Sequence, residues 1–152
     1  MKHLMTVRRA GLDDVKAVAA LFNEYRIFYR QPSDSGGAES YIAERLERNE
    51  SVIFIVLDEP SGRTIGFTQL YPSFSSISMR RTWILNDLFV AEDQRGRGAA
   101  QRLLDRAKAH AIETDAKGLA LSTATDNAAA QRLYERNGYL RETAFYDYFL
   151  TV

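Results

Sequence analysis

The stretch LNDLFVAEDQRGRGAAQRLLDRAKAH, Leu85 to His110, decides the fold. An apolar, strand-like run ends at Val90. A charged turn follows, and Arg95-Gly96-Arg97-Gly98 then opens a helical pattern. In that pattern Ala100, Leu103, Leu104, Ala107 and Ala111 share one side, with Arg102, Asp105, Arg106 and Glu113 opposite. Glycines at a strand-to-helix junction permit positive φ and let a ligand come close to the main chain. The first N–H groups of a helix have no intrahelical acceptor and sit at the positive end of its dipole. Such a junction is an anion site. A hydrogen bond to a charged acceptor contributes about 1.5–3 kcal/mol net, so several converging amides could hold a pyrophosphate without a lysine. Arg95 and Arg97 would add charge at the rim. Taken alone, the stretch equally fits a capped helix with surface arginines. It is not the nucleotide-triphosphate loop, which ends in Gly-Lys-Ser/Thr where this chain has Gly98-Ala99-Ala100. Nor is it the dinucleotide fingerprint, which needs three spaced glycines early in a wound sheet.

Working outward, residues 3–9 read as a first strand. Residues 11–32 read as a helix capped by Asp13, with Val15, Val18, Phe22, Tyr25 and Tyr29 at helical spacing. Pro32 and the SDSGG run break it, and residues 38–50 form a second, more polar helix that buries Tyr41, Ile42 and Leu46. SVIFIVLDE and TIGFTQLYPSF read as a hairpin around PSGR. TWILNDLFV is a long strand, apolar on both faces and therefore central. After the Gly96–Gly98 helix comes a short strand, LALSTA. A last helix follows, capped by Asp126 or Asn127 and stopped by Gly138, and residues 140–152 close as a strand. The expected order is β-α-α-β-β-β-α-β-α-β. That is an α/β fold, with a mixed sheet and helices on both faces. The unit from Trp83 to Ala124 is expected to be a right-handed parallel crossover.

The totals narrow the function. At 152 residues one domain is expected over 1–152. Twenty basic and twenty acidic residues cancel, which removes the positive surplus that sequence-independent nucleic-acid binding needs. With no Cys and only His3 and His110, neither a disulfide framework, a Cys/His metal site nor a His-based triad is expected, and no metal is invoked. No signal-peptide core or membrane-length apolar run is present, so a cytoplasmic location is expected, without a membrane partner.

VAEDQRGRGAAQRLL resembles the acetyl-CoA signature of the GNAT N-acetyltransferase superfamily, with Arg95, Gly98 and Ala100 at its fixed positions. NAAAQRLYERNGY resembles the family's second motif through Asn127, Ala130, Leu133, Tyr134, Gly138 and Tyr139. RTWILNDLFVAEDQRGRG and the closing ETAFYDYFL resemble the branch of yeast histone/polyamine and diamine acetyltransferases. The resemblance implies a mostly antiparallel twisted sheet of six to seven strands, and transfer of acetyl from acetyl-CoA to an amine. It places the pantetheine arm along Leu88, Phe89 and Val90, the pyrophosphate on the loop Arg95, Gly96, Arg97, Gly98, Ala99 and Ala100, and Asn127 on the cofactor. It makes Tyr134 the proton donor to the departing thiolate. From the helical stripe alone Tyr134 reads better as core, the motif position favours the proton donor, and Asn127 also fits a simple cap.

An alkylamine has a pKa near 10.4, so freeing its lone pair at pH 7 costs about 4.6 kcal/mol. Relatives often meet this with a central-strand glutamate. The corresponding residue here is Asn86, which cannot act as a base, and Asp87 is expected on the opposite face of the strand. Asn86 orienting a water, with Glu24 or bulk water removing the proton, is the expectation. On the acceptor side the resemblance places Tyr25, Phe28, Tyr29, Tyr71 and Phe74. Glu24, Asp34 and Glu39 would favour a polyamine, whereas Arg26, Arg30, Arg80 and Arg81 would favour an amino acid or peptide end. Of these, Tyr25, Phe28, Tyr29, Tyr71 and Arg80 are the expected substrate contacts. A small amine or amino acid is favoured over a protein or peptide amine, and a non-catalytic acetyl-CoA sensor stays open. The aromatic segment Phe145 to Leu150 resembles dimer-forming segments of relatives, so a homodimer is expected.

Overall fold

The computed structural model of the chain describes residues 4–152. They form two compact units, one ending at Leu121 and the other running from Ser122 to Val152. His3, read as the start of the first strand, lies outside the described residues.

In the first unit, β1 (Met5–Arg9), β2 (Val52–Asp58), β3 (Thr64–Ser75), β4 (Arg80–Val90) and β5 (Leu119–Ala120) make one sheet in that spatial order. The first three pairings are antiparallel, and β4 with β5 is parallel. Val52 to Val56 are buried without a break, as a strand covered on both faces requires. One cover is α1 (Val15–Phe28) with α2 (Ser35–Glu47). Val18, Leu21, Ala38 and Ile42 pack there on Ile53, Ile55, Phe67 and Phe89. The other face carries α3 (Ala99–Glu113), where His110 lies against Phe54 and Trp83. Each large apolar side chain so buried contributes about 1.5–3 kcal/mol, which is why Phe54 and Phe67, both at zero exposure, anchor their faces.

The caps differ from the sequence reading by a residue or a few. Asp14, not Asp13, precedes α1, and its carboxylate accepts from Gly11 N–H at 2.8 Å and from Arg8. The SDSGG run begins α2 rather than only breaking α1: Asp34 Oδ1 accepts from Gly37 N–H at 2.9 Å, the geometry of an N-cap. Buried Asn23 ties this junction, accepting from Asp34 N–H and donating to Ser33 Oγ.

The second unit contains α4 (Ala128–Arg136). Asn127 Oδ1 caps it by accepting from Ala130 N–H at 3.2 Å, and Gly138 ends it at φ 88°. Tyr134 and Tyr139 meet edge to face with centroids 5.8 Å apart.

Two expectations on strands are corrected. The short strand read as residues 119–124 pairs only at Leu119 and Ala120, opposite Trp83 and Ile84. The closing strand read in residues 140–152 is absent, so the described sheet has five strands, not six or seven. Alternating aromatic residues state a preference for extended backbone, but a strand exists only where another edge pairs with it.

Candidate active site

The Gly96–Gly98 turn is built as the sequence requires. Gly96 and Gly98 adopt φ 81° and 85°, and Gly98 is the left-handed N-cap of α3. No atom lies within 4 Å of a Cβ placed on either glycine, so the requirement is conformational, not steric. The first intrahelical bond runs from Arg102 N–H to Gly98 O at 3.2 Å. Before it, Ala99 and Ala100 lie in the turn whose amides have no acceptor inside the helix.

The two arginines of this turn do different work. Arg97 donates to Asp58 Oδ1 at 2.9 Å and to Gln94 Oε1 at 2.6 Å, so it braces the turn against β2. Hydrogen bonds from Ser61 and Arg97 hold the Asp58 carboxyl below its ordinary pKa. Arg95 donates from Nε to Val90 O at 3.0 Å, and its guanidinium lies over Phe89 and Phe28 at 5.4 and 5.8 Å. It therefore caps the end of β4.

Strand β4 has two unlike edges. β3 accompanies it from Arg80 to Val90, whereas β5 meets only Trp83 and Ile84. Among the described residues, Leu85 to Val90 have no strand partner on that second edge. Ala91 N–H bonds Ile65 O, so the alternation of an antiparallel ladder turns the main-chain groups of Leu88 and Val90 toward the open edge. Those of Phe89 turn to Phe67.

The register between β3 and β4 slips by one residue. Gln69 pairs with Asp87 and Leu70 with Leu85, which leaves Asn86 as the extra residue of a bulge. Beyond the bulge, Asp87 takes the same face as Gln69 and Phe67, the face covered by α1 and α2. It is 3% exposed. Gln69 Nε2 donates to Asp87 Oδ2 at 2.6 Å, and Asn86 Nδ2 donates to Oδ1 at 3.2 Å. Ser51 Oγ in turn donates to Gln69 Oε1 at 2.8 Å. The Tyr25 hydroxyl lies between Asn86 O, at 3.3 Å, and the Asp87 carboxylate. Burial pushes the Asp87 carboxyl above its ordinary pKa, against the pull of these donors.

Of the expected substrate contacts, Tyr25, Phe28 and Tyr29 form a chain of edge-to-face rings on α1. Tyr71 shares a 2.7 Å hydrogen bond with Tyr41, and burial with that bond raises its hydroxyl pKa. Arg80 does not join them. It bonds Asp115 and Ala116 O, in the loop after α3, while Arg81 lies over Phe74 and Trp83. Glu24 is exposed, and its charge acts on Arg63. The residue that sequence reading turned away was Asp87. Its one signal was a carboxylate inside an apolar strand, and a period of two sends it to the wrong side when a bulge intervenes. Tyr134 and Asn127 lie on and before α4 in the second unit.

A family model described as the acetyltransferase (GNAT) family matches residues 18–139. The chain is 53% identical over 148 residues to the uncharacterized N-acetyltransferase YhfO of Bacillus subtilis, covering 97% of this chain and 98% of that protein. It is 22% identical over 143 residues to an L-methionine sulfoximine/L-methionine sulfone acetyltransferase of Pseudomonas aeruginosa, covering 88% of this chain and 79% of that protein. A crystal structure of a probable acetyltransferase superposes with a TM-score of 0.92 at 41% identity, covering 97% of both chains. With a matched model over most of its length and a relative this similar end to end, the chain belongs to the GNAT family and is an N-acetyltransferase.

Proposed function

We propose that this enzyme moves acetyl from acetyl-CoA directly to the primary amine of a small molecule. The observation that carries this reading is the open edge of β4 running into the Gly96–Gly98 turn. An extended chain bearing amides can pair with Leu88 and Val90 as an added strand would. A diphosphate then fits the positive-φ turn at the start of α3, where main-chain N–H groups converge. Acetyl-CoA has both parts, and supplies an activated acyl group. In this reading Arg97 holds the turn in shape through Asp58, and Arg95 fixes the end of the strand.

Tyr134 is proposed as the acid for the thiolate, on the strength of its place in the second motif, and Asn127 as a cofactor contact as well as the α4 cap. A donor of this kind suits a leaving group that grows more basic as the thioester breaks. The wall of Tyr25, Phe28 and Tyr29, with Tyr71 nearby on the same sheet face as Asp87, favours a compact alkyl amine or amino acid such as those named for the Pseudomonas relative. The exposed Phe145, Tyr146, Tyr148, Phe149 and Leu150 support a homodimer. The test is release of free thiol from acetyl-CoA across a panel of polyamines, alkylamines and amino acids, L-methionine sulfone included. Turnover with at least one is expected. Tyr134→Phe should then lower kcat about 10²–10⁴-fold, the usual worth of a positioned acid, while coenzyme A binding by calorimetry is kept. No turnover with any amine, or an unchanged kcat in the variant, would overturn the respective part.

A further inference from the structure

We infer that Asp87 is the terminal acceptor of the proton carried by the incoming ammonium, and that the Tyr25 hydroxyl relays it. This rests on the acetyltransferase reading above and names the base that Asn86 cannot be.

The geometry points this way for three reasons. First, the bulge at Asn86 turns Asp87 to the face covered by α1 and α2 and buries it there. Second, among the described residues no ion pair includes Asp87. A buried carboxylate without a counter-charge is costly, and an ammonium brought by the acceptor is the group that would complete it. Third, Tyr25 is half-buried and its hydroxyl bonds the Asp87 carboxylate, while its ring meets Tyr29 edge to face, so it links the carboxylate to the aromatic wall at the end of α1. The groups that face the carboxylate are Tyr25 from α1, Gln69 and Tyr71 from β3, and Asn86 on its own strand. From α2, Tyr41 joins Tyr71, and Arg45 stacks on Tyr41 at 4.3 Å.

The step balances without another reagent. An N–H bond of the ammonium breaks and its proton passes to the Tyr25 oxygen. The Tyr25 O–H bond breaks and that proton passes to an Asp87 oxygen. The amine nitrogen keeps the electron pair with which it attacks the thioester carbonyl. Ammonium plus carboxylate thus become amine plus carboxylic acid, and tyrosine is regenerated. Burial that raises the Asp87 pKa narrows the gap to the ammonium and makes this transfer less uphill.

Thiol release is measured with ethylamine, an ammonium at neutral pH, and with methoxyamine, which is unprotonated there. Asp87→Asn should slow the ethylamine reaction about 10²-fold or more and leave methoxyamine within about threefold of wild type. It should also remove the acidic limb of the kcat/KM profile for ethylamine, because the base must be unprotonated to act. Tyr25→Phe should reproduce the selective loss, and serves where Asp87→Asn fails to fold. Coenzyme A should raise the melting temperature of each folded variant as much as that of wild type. Equal losses on both amines would assign the pair a structural role and overturn the proposal. A wild type that acetylates neither these two nor any other amine of the panel overturns it too, through the small-amine reading, and the two failures are different.

Discussion

Among the described residues, one face of the sheet buries Asp87 and the other His110, and they treat these groups in opposite ways. On the face under α1 and α2, Asp87 is met by Gln69, Tyr25 and Asn86. On the face under α3, His110 is 7% exposed between Trp83 and Phe54, and its Nε2 has no hydrogen-bond partner. Burial raises the pKa of the acid and lowers that of the base, in both cases by disfavouring charge. The nearby Arg9, Arg106 and Arg81 push His110 further down, with Glu113 opposing them. The two therefore give stability opposite pH slopes. Asp87 has a folded pKa above its unfolded value, so its contribution is full at low pH and is lost as pH rises through the folded value. His110 has a folded pKa below its unfolded value, so its contribution is full above the unfolded value and is lost as pH falls through the folded one. A polar network surrounds the group that chemistry can use; the other is merely kept neutral.

The largest expected effect tests whether the Asp87 face depends on its apolar floor. Phe67→Ala should cost about 3–5 kcal/mol in urea unfolding, and should loosen Tyr25 and Phe22, whose rings rest edge-on against Phe67. Next, Gln69→Leu removes a donor 2.6 Å from a buried carboxylate. A loss of about 1–3 kcal/mol is expected, growing as pH rises because the ionised form has lost its support. A loss independent of pH would break the contrast between the faces. Gly98→Ala places a side chain at φ 85° and should cost about 1–2 kcal/mol, with weaker coenzyme A binding in the same sample. The smallest effect is expected from His110→Leu. It should be near neutral at pH 8 and stabilising relative to wild type at pH 5, because no imidazole has to be kept uncharged. Equal effects at both pH values in chemical denaturation would remove His110 as the source of acid sensitivity.

Much of this was legible in the residues, and for local reasons. The SVIFIV run, the hairpin, the α3 stripe of Leu103, Leu104 and Ala107, and the Asn127 and Gly138 ends of α4 follow from periodicity and capping within a few residues. The positive φ of Gly96 and Gly98 follows from the same short range. The partners of the charged residues were not legible. Arg97 reaches Asp58, 39 positions away, and Arg80 reaches Asp115, 35 away, because the sheet and its crossover bring those loops together.

The chain by itself thus determined the order of elements from the first strand to α4, the glycine turn, and the family that its two motifs mark. Only the tertiary structure decided which way Asp87 faces, which arginines are already engaged, and that residues 140–152 make no strand. Backbone preference is set by neighbours along the chain. Register, bulges and ion pairs are set by neighbours across it, and a slip of one residue between β3 and β4 is enough to move a carboxylate from one face of a sheet to the other.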